Sequence, residues 1–191
     1  MDERVRRAMA QWPNVPDVYG WLRLNRRGQW LLRGESITNP ALVDFIGRNY
    51  GPVEGGGYAF QNGPQKVHVA LDLTPWVADL SAAGLVTEHT GRSLDALEAV
   101  WLDAQGRLFL QDARGPAVLR DEALALALDC FCTPSGEPLE EAFLEAVLEG
   151  QGMDRARLRL GPSLLPLRWM GSTSPEEQFG FVADPRPAAA P

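Results

Sequence analysis

Two alternating runs either side of Asn25-Arg26-Arg27-Gly28, in VYGWLRLNRRGQWLLRGE from Val18 to Glu35, constrain this chain most. An Asn that favours turns opens the linker and a Gly able to take positive φ closes it, which predicts a β-hairpin. Period-two counting puts Leu22 and Leu24 on one face and Tyr19, Trp21 and Arg23 on the other. Large side chains on both faces mean that the sheet is expected to be covered on both sides, at least in part. After the hairpin, Asn39 is placed to cap a helix whose first residue is Pro40, with Leu42, Phe45 and Ile46 on one face, over residues 40–49.

The next segment, GGGYAFQNGPQK from Gly55 to Lys66, invites a phosphate-loop reading. A phosphate loop follows a strand and opens a helix, with Lys and Ser or Thr at fixed offsets, and here the glycines open a strand. Tyr58 to Gln61 reads as a strand, Asn62-Gly63 as the turn and Lys66 to Leu73 as the return, with Val67, Val69, Leu71 and Leu73 on one face. Lys66, His68, Ala70 and Asp72 share the other face, which is expected to reach solvent or a shallow groove.

Short strands follow at Trp76 to Leu80, Leu85 to Thr90, Ala99 to Leu102 and Arg107 to Gln111. Asp103-Ala104-Gln105-Gly106 and Asp112-Ala113-Arg114-Gly115 repeat the turn grammar of Asn25 to Gly28. Asp121 then caps an alanine- and leucine-rich helix to Phe131, Ser135 to Pro138 opens another that stops at Gly150, and LRLG and LLPLRWM read as strands. The fold class is therefore α+β: an antiparallel sheet plus helix, like an α/β roll, then a β-rich roll and C-terminal helices. The corresponding divisions are an N-terminal helical arm (1–16), an α+β unit (17–73), a β-rich unit (74–120), C-terminal helices and strands (121–183), and a tail (184–191) whose low complexity predicts disorder.

The runs WPNVPDVYGWL from Trp12, FIGRNY from Phe45 and FQNGPQ from Phe60 resemble a family of uncharacterised proteobacterial proteins, a domain of unknown function. That likeness extends over roughly residues 1–120. The order of Gly28-Gln29-Trp30, Arg33-Gly34-Glu35 and Thr74-Pro75-Trp76 is similar to a second uncharacterised bacterial family, whose fold pairs an α/β roll with a β roll. Neither resemblance implies an activity.

Composition narrows the function classes. A formal charge of −7 argues against nucleic acid and anionic membranes as partners, since both need a basic surface. The charged start MDERVRRAMAQW is unlike a signal peptide, which points to the cytoplasm, and Cys130 and Cys132 read as reduced thiols. No motif indicates a cofactor or a metal site. His68 and His89 are the only imidazoles, so an enzyme of unrecognised type would use one of them as acid or base. Four strand residues separate His68 from Asp72 by about 13 Å, beyond contact.

The constellation that does suggest chemistry is aromatic and cationic: Tyr19, Trp21, Arg23, Arg33, Arg48, Asn49 and Tyr50, flanked by the polar edge Gln61, Asn62, Lys66 and His68. Such a face binds a small anionic or planar ligand, or a partner chain, through guanidinium forks and stacking; equally, it serves as the seam for a second unit. A non-enzymatic binding or interaction protein is the expectation. A homodimer pairing exposed strand edges, or Leu164 to Met170, across a two-fold is compatible with it.

Overall fold

The structure, a computed structural model, describes residues 1–12, 15–94 and 96–187. Pro13 and Asn14 of the WPNVPDVYGWL run, and residues 188–191 of the tail, lie outside these. The chain divides into two units, Met1–Pro75 with the segment from Gly180, and Trp76–Phe179. The architecture is α+β in both.

In the first unit the order is α1 (Glu3–Gln11), β1 (Val18–Leu24), β2 (Trp30–Leu32), β3 (Glu35–Ser36), α2 (Pro40–Arg48), β4 (Tyr50–Pro52), β5 (Tyr58–Asn62) and β6 (Gln65–Leu71). The hairpin at Asn25 forms as expected: its Oδ1 accepts from the Arg27 and Gln29 amides at 3.0 and 2.9 Å. The α2 cap also forms, with Asn39 Oδ1 accepting from Ala41 N and Leu42 N. The sheet runs β3-β2-β1-β6-β5-β4. It is mixed and not wholly antiparallel, because β1 and β6 pair in parallel through the crossover that carries α2. The β5–β6 turn falls one residue later than the Asn62-Gly63 dipeptide suggests. Asn62 pairs with Gln65, leaving Gly63 (φ 59°) and Pro64 as the loop. Proline suits the second loop position and glycine supplies the positive φ at the first.

The triple glycine links two antiparallel strands, β4 and β5, and no helix follows it. The tail is tied down where it begins: Ala183 O accepts from Leu71 N and Val182 N donates to Gly56 O.

One departure reorganises the predicted faces. Val18 pairs with Val67 and Leu22 with Val69, so β1 carries two more residues than β6 over that interval. The resulting bulge at Tyr19, Gly20 and Trp21 breaks the period-two count and sends Tyr19 and Trp21 to different surroundings. The second face is also less open than expected, since His68 and Ala70 are both buried.

The second unit holds β7 (Trp76–Leu80), β8 (Val86–Glu88), β9 (Ala99–Asp103), β10 (Leu108–Asp112), β11 (Gly115–Leu119), α3 (Leu124–Leu128), β12 (Phe131–Cys132), α4 (Glu141–Leu148), β13 (Arg157–Leu160), β14 (Ser163–Gly171) and α5 (Pro175–Phe179). Its sheet runs β12-β13-β14-β9-β10-β11-β7-β8, around a core that includes Trp76, Phe109, Leu102 and Leu158. Pairing of β14 with β9 carries the sheet across residue 120, joining the β-rich stretch to the C-terminal strands.

Several local expectations change here. Asp112 pairs directly with Gly115, so that turn has two loop residues and not four. Asp121 begins a 3₁₀ turn and the α-helix starts only at Leu124, ending before Phe131 joins β13. Ser135 hydrogen-bonds to Thr133 within a turn, and the following helix starts at Glu141. Ser174 caps α5, exchanging hydrogen bonds with Glu177. Within the Leu164 to Met170 stretch, Leu164 to Pro166 pair with β13 and Leu167 to Trp169 pair with β9.

Candidate functional site

A cleft of about 240 Å³ opens in the first unit between α2 and the sheet. Leu22, Ile46, Phe60 and Val67 form its walls. They meet there because β1, β5 and β6 are neighbours and α2 lays its apolar stripe across them, with Phe45 edge-on to Phe60 at 5.5 Å. Trp21, Leu32 and Leu42 stand at the cleft and are 48%, 45% and 39% exposed, so large apolar side chains that ordinarily sink into a core converge on one opening. Asn62 and Gln65, cross-strand partners beside the Gly63-Pro64 turn, supply carboxamides.

Arg33 sits above Trp21, its guanidinium carbon 3.9 Å from the ring centroid. Arg33 is also the one described non-glycine residue with positive φ (51°), in the two-residue turn that Arg33 and Gly34 make between β2 and β3. Its amide donates to Trp21 O at 2.7 Å, which ties the turn to the bulge. A left-handed non-glycine residue is a local cost that surrounding structure must offset, and such positions concentrate at binding sites.

The other residues singled out in the sequence go to separate contacts. Arg23 pairs with Asp72 at 2.6 Å and Arg48 Nε with Asp2 at 3.3 Å. Asn49 is buried, accepting from Asp2 N and donating to Phe45 O. Tyr50 is buried with its hydroxyl on Pro75 O, and Gln61 donates to Gly63 O. The structure therefore brings Trp21 and Asn62 to one cleft, with Arg33 over the Trp21 ring, and does not gather the whole set into a single groove.

On the opposite sheet face His68 Nε2 lies 2.8 Å from Asp17 Oδ2, Lys66 Nζ lies 3.8 Å from the same oxygen, and Tyr19 stacks flat on the imidazole at 4.2 Å. Asp17 was missed in the sequence. It immediately precedes β1, and only the parallel β1–β6 pairing brings it to His68. The His68 Nδ1 atom is buried and makes no hydrogen bond among the described residues.

His89 belongs to the second unit. Burial, then the positive charge of Arg120, push its pKa down to about 3, and Val77 N donates to Nδ1 at 3.2 Å, which occupies that nitrogen's lone pair. Beside it, the buried Glu88 and Asp112 share the Arg92 guanidinium. Burial, then the neighbouring Asp129, raise the Cys130 thiol above its usual range, the reverse of what a reactive cysteine needs. The described residues contain no cluster of His, Cys, Asp and Glu able to hold a metal, and no helix long and apolar enough to cross a membrane.

A family model, DUF2944, described as protein of unknown function (DUF2946), matches residues 1–186. The chain belongs to that family. Membership runs well past the part of the chain over which the sequence motifs carried a resemblance. Among curated proteins no match is found. Among solved structures, a DUF1285 family protein from Silicibacter pomeroyi DSS-3 is similar with a TM-score of 0.54 and 20% identity, over 83% of this chain and 85% of that one. A DUF1285 family protein from Shewanella baltica OS155 gives a TM-score of 0.42 and 15% identity over 53% of this chain and 85% of that one. The first likeness shows a shared fold.

Proposed function

We propose that this protein is a cytoplasmic, non-enzymatic binding protein, and that its first unit takes the apolar part of a small ligand into the cleft beneath α2. The observation that carries this reading is the convergence of exposed Trp21, Leu32 and Leu42 on a cleft walled by Leu22, Ile46, Phe60 and Val67. Full burial of such a side chain is worth about 1.5–3 kcal/mol, and since each is a little under half exposed an occupant would recover less than half of that for each. Of the sequence-selected residues, Trp21, Arg33 and Asn62 support the reading; Arg23 and Arg48 are occupied by carboxylates. Free thiols at Cys130 and Cys132 fit a reducing compartment.

Acid–base catalysis at His68 or His89 has less support. The Nε2 of His68 is taken by Asp17 and its Nδ1 is closed off from solvent, so neither nitrogen is presented to a substrate. A pKa near 3 keeps His89 neutral at ordinary pH, unable to act as an acid there.

Calorimetric titration with indole, a neutral ring, tests the binding reading. Saturable binding to the intact chain, abolished when Leu42→Trp fills the mouth of the cleft, is expected. Absence of binding, or binding unchanged by Leu42→Trp, contradicts it.

A further inference from the structure

We infer that the ligand of this cleft is a planar aromatic monocarboxylate, its ring between the cleft walls and its carboxylate on the guanidinium of Arg33; this rests on the binding reading above. Size sets the first limit. An apolar cavity of about 150 Å³ holds one benzene ring, so a cleft of about 240 Å³ takes a substituted or fused ring and little more. Phe60, and Trp21 at the mouth, favour a flat occupant over a branched chain, because ring faces and edges pack in defined offsets.

Charge sets the second limit. Among the described residues Arg33 makes no ion pair, whereas Arg23 and Arg48 of the same unit are each committed to an aspartate. The Arg33 guanidinium lies over the Trp21 ring and Arg33 is exposed, and a guanidinium takes a carboxylate through two parallel hydrogen bonds. No Asp or Glu lines the cleft, so an anion meets no opposing charge there even though the chain carries −7 overall. A cationic ligand would find no partner. Asn62 and Gln65 bear carboxamides, which can hydrogen-bond a ring substituent but cannot balance a second charge.

Rigidity sets the third. The Arg33-Gly34 turn and the hydrogen bond from Arg33 N to Trp21 O fix the backbone from which the guanidinium reaches over the Trp21 ring, so less ordering is needed when the ligand arrives.

The test compares 2-naphthoate with its neutral isostere 2-naphthamide by calorimetry on the full chain at pH 7.5, in the wild type and in Arg33→Asn, which keeps a side chain tolerant of positive φ. The acid is expected to bind the wild type at least tenfold more tightly than the amide. Arg33→Asn is expected to remove that advantage, so that acid and amide bind the variant with similar affinity. Equal affinity for acid and amide in the wild type, or an acid preference that survives Arg33→Asn, overturns the inference while the cleft stands as a binding site. If neither compound binds and indole does not bind either, the binding reading itself is overturned.

Discussion

Acidification from pH 7.5 to 5 removes about 2 kcal/mol of stability through His89 alone. In the folded chain its pKa is pushed down to about 3, and in the unfolded chain it returns to 6.5. Between these values the unfolded state holds a proton that the folded state refuses, so stability falls as pH falls. The contribution is fully present above pH 6.5. At pH 5 the unfolded imidazole is 1.5 units below its own pKa, worth about 2 kcal/mol at 1.36 kcal/mol per unit. His89 as a residue retains partial exposure although its Nε2 is shut off from solvent, so this is an upper figure. Urea unfolding of the wild type and His89→Gln at pH 7.5, 6.5, 5.5 and 5.0 reads the effect. Carboxylate titrations cancel in the difference, and the wild type should lose up to about 2 kcal/mol relative to the variant, with m-values unchanged. Parallel pH profiles for the two proteins would refute the reasoning, because His89 would then take up its proton in the folded state as easily as in the unfolded one.

Other perturbations have definite expected outcomes. Asp103 is fully buried, accepts from the Gln105 and Arg107 amides and pairs with Arg107 Nε at 2.6 Å, so Asp103→Ala should cost about 3 kcal/mol in chemical denaturation; a loss below about 1 kcal/mol would contradict the role given to it. Gly84→Ala puts a Cβ 2.8 Å from Gly161 N at a φ of 75°, and should lower stability by about 2 kcal/mol or more, read as a drop in the urea midpoint. Asp17→Ala strands His68 Nε2 in a buried ring and should cost about 1–2 kcal/mol, most of which Asp17→Asn recovers because the amide oxygen still accepts; equal losses in both variants would show that charge and not the hydrogen bond matters.

Local chemistry was legible in the sequence wherever a side chain closes its own turn or caps its own helix. Asn25 and Asn39 do this through Oδ1, and their partners lie within four residues. Features that depend on distant pairing were not. Gly20 (φ 72°) is the mark that the bulge at Tyr19 to Trp21 leaves in the sequence, but a period-two count assumes the unbroken pleat that it interrupts. The same parallel pairing explains why Asp17, and not Asp72, is the partner of His68. Pro64 outweighs the Asn-Gly dipeptide at the β5–β6 turn, and the demand of β13 for a partner ends the α3 helix before Phe131 despite its helix-forming composition. Of the proposed ligand-binding face, Trp21 and Asn62 reach the cleft, and the Arg33-Gly34 turn sets Arg33 over the Trp21 ring. Charge alone could not tell Arg33 from Arg23 and Arg48, whose aspartates lie far along the chain.

The most direct test of the binding account is a heteronuclear NMR titration of the intact protein with 2-naphthoate. The account predicts saturable shifts confined to the cleft, at the Trp21 indole N–H, the methyl groups of Leu22, Leu32, Ile46 and Val67 and the side-chain amides of Asn62 and Gln65. Shifts that fail to saturate, or that map to other surfaces while these groups stay still, would contradict it.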